Sequence, residues 1–200
     1  MGTAGAAARG HPAHGLLLPE GTAYGWTATG RWAYFPDREA KAAYMRAAAH
    51  HDALNPEVRS WAKEFDRLRL EERAAAILRF VQECIRYERD PATFDRDGTR
   101  HGIELLDSAP VGLFRGYGDC DLKARLFVAL CLASGLVAEI DPVFRGAYRF
   151  PHVRAKVLRV TGETSVAPQQ WDVADPTIIN STIGHLPDHP LTTWNEAACP

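Results

Sequence analysis

The sequence predicts an α+β fold, with helices packed on an antiparallel sheet, and three observations carry that prediction. Residues 37 to 85 hold helical periods opened by recognisable caps. The stretch "GYGDCDLKARLFVALCLASG" then reads as a further helix between Asp119 and Gly135. After Gly135 the pattern changes to short runs rich in β-branched and aromatic residues.

Length and composition bound the rest. The chain's 200 residues suit a single domain on the usual scale of roughly 100–200 residues per domain. The expected division is a leader over 1–20, one domain over 21–185 and a tail over 186–200. Hydrophobic residues make up 46% and charged residues 24%, an ordinary globular balance. A formal net charge of -2 gives no basic excess, so no nucleic-acid partner is expected. No run approaches the roughly 18 apolar residues of a membrane span. The start "MGTAGAAARGHPAHG" lacks the basic and apolar regions of a signal peptide, and its two histidines read as leader, not as a metal site. The cysteines Cys84, Cys120, Cys131 and Cys199 form no CxxC pair, which favours a reducing compartment and a soluble cytoplasmic protein.

Taken in order, aromatics alternating from Tyr24 to Phe35 around Thr29 and Gly30 fit a hairpin. Asp37 caps a first helix through "REAKAAYMRAAAHH", which ends at His50 and His51. Asn55 followed by Pro56 opens a second, with Val58, Trp61, Phe65 and Leu68 on one face. From about Glu71 a third places Ala74, Ile77, Leu78, Val81, Cys84 and Ile85 at core spacing. Pro91 and Gly98 begin an irregular connection running to Gly118, long enough to hold short elements or a function. The helix from Cys120 turns Leu122, Leu126, Phe127, Leu130 and Cys131 to its apolar side. "LVAEIDPVF", "HVRAKVLRV" and "QWDVADPT" read as three strands.

Cys120 is the unusual cysteine. It sits among Gly118, Asp119, Asp121 and Lys123, where a buried structural cysteine sits in an apolar run, as Cys131 does. If Asp119 caps the helix, Cys120 lies in its first turn, where unpaired N–H groups and the positive dipole end favour a thiolate. The flanking carboxylates oppose this unless they point into caps. His152, heading a strand, is the natural proton acceptor and later donor for a leaving amine. A third group orients that ring, and "WDVADPT" offers Asp175, with Asp172 as competitor. Three positions apart on one strand, the two aspartates face opposite sides, so one of them serves.

These residues resemble the transglutaminase-like superfamily, relatives of the papain-like cysteine proteases. The matching features are Gly118-Asp119-Cys120 opening a helix, His152 opening a strand, and Trp171 followed by Asp175-Pro176-Thr177. The likeness covers roughly residues 70 to 180, and "GDCD" is similar to the form in small bacterial and phage-encoded members. It departs from the family where Val153, Arg154, Ala155 and Lys156 follow the histidine, which touches substrate preference. The resemblance implies Cys120 as nucleophile, His152 as general base and acid, and Asp175 as its orienter. It implies an oxyanion hole from the Cys120 backbone N–H and an upstream donor, with Tyr87 nearest by position. Arg115 and Tyr117 are candidates to line the approach.

The implied reaction is thiol-mediated acyl transfer on a peptide, protein or small amide or acyl substrate, through a thioester. Water as second nucleophile gives a peptidase, amidase or deamidase, the preferred version. An amine gives a transglutaminase or biosynthetic acyltransferase. A catalytically inactive binding module of the same fold is the alternative from another class. Cys120, His152 and an aspartate as metal ligands rank below the triad, since paired ligand spacing is lacking. No metal or cofactor is expected.

Overall fold

Caps decide where the helices start, and the helices decide where the site can be. The computed structural model describes residues 16, 18–26, 31–35, 37–90, 92–94, 100–102, 104–105, 107–143, 152–160 and 170–187. Strands β1 (Ala23–Trp26) and β2 (Arg31–Tyr34) pair antiparallel, Ala23 opposite Tyr34, as the hairpin reading requires. Its turn at Thr29 and Gly30, most of the leader and the tail beyond residue 187 lie outside the described residues.

Helix α1 (Arg38–Ala53) starts where the Asp37 carboxylate accepts from the Ala40 N–H at 2.7 Å. Helix α2 (Pro56–Ala62) starts at Asn55, whose side chain accepts from the Glu57 N–H. The predicted apolar face of this second helix needs correction. Val58 is buried, but Trp61 is exposed and Ala62 is buried in its place, since Val58 and Ala62 stand four apart on one face of α2, before the chain tightens into a 3-10 turn at Lys63–Phe65. Trp61 stacks instead against Phe80, with ring centroids 5.2 Å apart.

Helix α3 (Leu70–Cys84) buries Ala74, Ile77, Leu78 and Val81 as predicted. Cys84 does not join them and is exposed. The helix ends there, the chain turns extended at Ile85, and Ile85 takes the core position.

Strand β3 (Arg86–Tyr87) precedes the long connection, which contains the short elements β4 (Ala92–Phe94), β5 (Arg100–Gly102), β6 (Glu104–Leu105), α4 (Ala109–Arg115) and β7 (Tyr117–Gly118). Strand β6 extends the β1-β2 sheet, β4 pairs with β5, and β3 runs parallel to β7 with Tyr87 opposite Gly118. Helix α4 is held from outside: the Asp52 carboxylate of α1 accepts from the Ala109 N–H at 2.7 Å and from buried Arg125 at 2.7 Å. Arg125 also donates to the Asp107 carbonyl.

Helix α5 (Cys120–Ala133) is the centre of the molecule. It was expected to be apolar on one side, yet every residue from Leu122 to Cys131 is buried. It packs against α1, α2, α3 and α4 and against a three-stranded antiparallel sheet of β8 (Ala138–Val143), β9 (His152–Leu158) and β10 (Trp171–Ala174), in the order β10-β9-β8. The fold is therefore α+β, with helices packed against a small antiparallel sheet. Burial all round explains why Lys123 and Arg125 reach for partners, Lys123 Nζ donating to the Ile85 carbonyl at 2.7 Å. That contact fixes the end of α3, and with it Tyr87, beside the start of α5. Among the described residues no helix is long and apolar enough to cross a membrane.

Candidate active site

Cys120 is the first residue of α5 and is half-buried. Asp119 caps the helix, its Oδ1 accepting from the N–H groups of Asp121 (3.1 Å) and Leu122 (3.2 Å). This carboxylate turns into the helix start, as a cap should. Asp121 turns the other way: the Cys120 thiol donates to its Oδ1 at 3.6 Å, while its Oδ2 pairs with Lys41 Nζ at 2.6 Å.

Glycine at 118 is required by close approach. A Cβ there would stand 2.9 Å from the Leu122 Cβ, so any side chain would push the first turn of α5 away.

The head of β9 closes the other side. The backbone N–H of Val153, the residue after His152, lies close enough to the Cys120 sulfur to favour its anion. His152 is buried, and its Nε2 lies 2.7 Å from Asp175 Oδ2. Asp175 Oδ1 accepts from the Thr177 N–H at 3.0 Å and the Thr177 hydroxyl at 2.5 Å. Burial alone would push the Asp175 carboxyl up, but the His152 ring and the Thr177 donors outweigh it and hold the carboxyl below its ordinary range. The loop behind is fastened by Gln82, whose amide donates to the Ile178 carbonyl at 2.8 Å, and by the Ser181 hydroxyl, which donates to the Asp175 carbonyl at 2.7 Å.

The competitor Asp172 is engaged elsewhere, by Arg159 Nε at 2.8 Å and Nη2 at 2.6 Å.

The surroundings of the thiol oppose ionisation. Burial first, then the Asp121 and Asp119 charges, push the Cys120 thiol well above its ordinary range, against the Val153 N–H and Lys41. The expectation that a helix start favours the anion is thus overridden by desolvation and two carboxylates.

Tyr87 reaches the same place from β3. Its phenol is pushed up by burial and then by Cys120 and Asp119, and is pulled back by Arg89, whose side chain hydrogen-bonds it. Tyr117 lies beneath two guanidinium groups, Arg86 at 5.7 Å and Arg115 at 6.0 Å from its ring centroid. Arg115 is also paired with Asp107. Asp119, Cys120 and Asp121 bring one ligand atom each within 4.8 Å of one another. The capping bonds and Lys41 already engage both carboxylates.

Comparison with known proteins adds little to this geometry. No family model matches the chain. No curated protein matches it either. A solved structure described as a candidate cysteine protease from Cytophaga hutchinsonii is similar, with a TM-score of 0.46 and 15% sequence identity over 74% of this chain and 49% of that one. The chain thus spans about half the length of that protein. A likeness of this depth carries no chemistry, and the site rests on its own contacts.

Sequence reasoning did not assign Thr177, Lys41 or the Val153 amide. Thr177 had a signal, since a hydroxyl residue two positions after an aspartate closes a local turn on that carboxylate. The Val153 amide had none.

Proposed function

We propose that the protein carries a transglutaminase-like core and performs thiol-mediated acyl transfer, with Cys120 as nucleophile, His152 as general base and acid, and Asp175 as its orienter. One observation carries the reading: the amide immediately after His152 lies close to the sulfur, while the His152 ring is held at Nε2 by a buried, multiply bonded carboxylate. With Asp175 accepting at Nε2, the neutral ring carries its proton there and its lone pair on Nδ1. Nδ1 is the atom that takes the thiol proton. With the thiol pushed up by its surroundings, that proton leaves as sulfur attacks the acyl carbon. The imidazolium then protonates the departing amine, leaving a thioester on Cys120. The Cys120 N–H and the Tyr87 phenol are the donors for the developing oxyanion. Arg115 and Tyr117 flank the approach on the side of β7.

The substrate class is an amide or related acyl group of a peptide, protein or small molecule. Water is the preferred second nucleophile, since it asks for no docking surface of its own. A glutamine peptide assayed by mass with and without a primary amine separates the versions. Ammonia loss without amine uptake supports hydrolysis, and amine incorporation replaces it with transglutamination. A binding module of the same fold is the second reading, favoured by the burial and carboxylates that oppose ionisation of the thiol.

An activated ester tests the chemistry without knowledge of the substrate. A p-nitrophenyl ester should give a burst of nitrophenol and a hydroxylamine-labile adduct on Cys120, sharply reduced in His152→Ala. Acylation of exposed Cys84 at the same rate, or indifference to His152→Ala, would favour the binding module.

A further inference from the structure

Lys41 reaches the site from outside it. It lies in the second turn of α1, on a helix that precedes the stretch carrying the family resemblance, and it meets Asp121 at 2.6 Å with both side chains largely buried, 21% and 13% exposed. Asp121 directly follows the nucleophile and uses its other oxygen to accept from the Cys120 thiol. One carboxylate therefore bridges the sulfur and the lysine. The docking that allows this is substantial, because Met45, Ala49 and Ala53 of α1 share the core of α5.

We propose that Asp121 and Lys41 form a clamp on the resting nucleophile: Asp121 holds the Cys120 S–H, and Lys41, a positioning residue acting through Asp121, sets how readily that proton is released. The proposal rests on Cys120 being the nucleophile of the acyl-transfer reading. A carboxylate accepting from a thiol fixes its rotamer, but at full charge it also resists formation of the anion beside it. A lysine on its far oxygen removes much of that resistance while leaving the hydrogen bond intact. When substrate arrives, the S–H bond breaks and the proton goes to His152, so Asp121 only gives up a hydrogen bond. The charged and titratable groups acting on the sulfur are Asp121 and Asp119 at the helix start, Lys41 from α1 and Tyr87 from β3, and the His152–Asp175 pair stands at the ends of β9 and β10 next to the Val153 amide. Lys41 is the cation among the causes acting on the thiol. Its removal acts opposite to removal of Asp121.

The test is the rate of Cys120 alkylation by iodoacetamide against pH, read by peptide mass spectrometry on the full chain, with circular dichroism to establish folding. Lys41→Met should move the midpoint up by about one pH unit, so that the rate at neutral pH falls about tenfold, with the alkaline plateau unchanged. Lys41→Arg should restore most of the rate. Asp121→Asn should move the midpoint down. In that background Lys41 has lost its anchor, so Lys41→Met should change the rate less than about twofold. An unmoved midpoint in folded Lys41→Met, or a lower plateau at an unmoved midpoint, would overturn the clamp. If Lys41→Met does not fold, Asp121→Asn decides, and an unmoved midpoint there overturns the proposal. Failure of the acyl-transfer reading looks different: the midpoints shift as stated, yet His152→Ala leaves ester acylation untouched.

Discussion

The two ends of helix α5 hold the same residue in opposite circumstances. Cys131, near the C-terminal end, is fully buried among apolar side chains, and burial alone pushes its thiol up. Cys120, at the N-terminal end, is also pushed up by burial, but it stands among Asp121, Lys41, the Val153 amide and the Tyr87 phenol. Desolvation disfavours the anion at both positions, so it does not by itself set the two thiols apart. Neighbours able to take, hold or steer a proton do. Helix geometry explains why they gather at one end. The first turn leaves N–H groups unpaired and attracts carboxylate caps, while the last turn is closed by its own backbone. There Gly135 adopts φ +82 and the Leu136 N–H returns to the Cys131 carbonyl.

The strongest way to break this comparison is to remove each sulfur in turn. Cys120→Ala should abolish ester acylation, a loss of at least about a thousandfold, as when an acting nucleophile is deleted. Cys131→Ala should leave acylation within about twofold yet cost about 1 kcal/mol of stability for the atom removed from the core. Burst amplitude and urea midpoint, measured on both variants, read the two effects separately. Equal acylation losses would mean that Cys131 supports the site, and the contrast between the helix ends would fail.

Next in size are the changes that keep the sulfur and alter its surroundings. His152→Ala removes the proposed proton acceptor and should slow acylation about a hundredfold or more, the usual scale of general acid–base catalysis. Gly118→Ala leaves every reacting group in place but sets a methyl group against Leu122. It should slow acylation about tenfold through displacement of the first turn and cost about 1–3 kcal/mol by overpacking. Nitrophenol burst rates rank the two, and a Gly118→Ala rate equal to that of the unaltered protein would mean that the turn of α5 relaxes without moving Cys120.

Much of this contrast is legible in the sequence. Asp119 before a long apolar run marks a helix start, and the β-branched runs after Gly135 mark three strands whose ends present His152 and Asp175. Spacing says that Asp172 and Asp175 turn to different sides but not which of them meets His152; Asp175 does, while Arg159 takes Asp172. Helix α4 escaped because its Gly112 and Gly116 weaken the helical signal, although Ser108-Ala109-Pro110 is a start signature and Gly116 a left-handed stop. Cys84 was misplaced because periodicity says nothing of where the last turn ends. The parallel pairing of β3 with β7 has no local pattern, since two-residue strands carry no alternation to read. Lys41 is the clearest illegible case. A lysine on an alanine-rich helix looks like any solvated charge until packing of α1 on α5 brings it to Asp121.

The smallest effect tests whether the orienting end of the site works by charge. Asp175→Asn keeps the shape and removes the anion that His152 and Thr177 bond. At neutral pH this should cost about 1–3 kcal/mol of stability, the worth of hydrogen bonds to a charged group. The native carboxyl is held below its ordinary range. A group so depressed stabilises the fold fully above its unfolded pKa, about 3.9 for aspartate, and loses that contribution as pH falls through the lower folded value. Urea midpoints taken from neutral pH downward should therefore show a constant gap between the unaltered protein and Asp175→Asn until about pH 4, then a narrowing one. A gap that persists undiminished into acid would mean that Asp175 holds His152 by shape and hydrogen-bond geometry alone, and that its negative charge takes no part in fixing the ring.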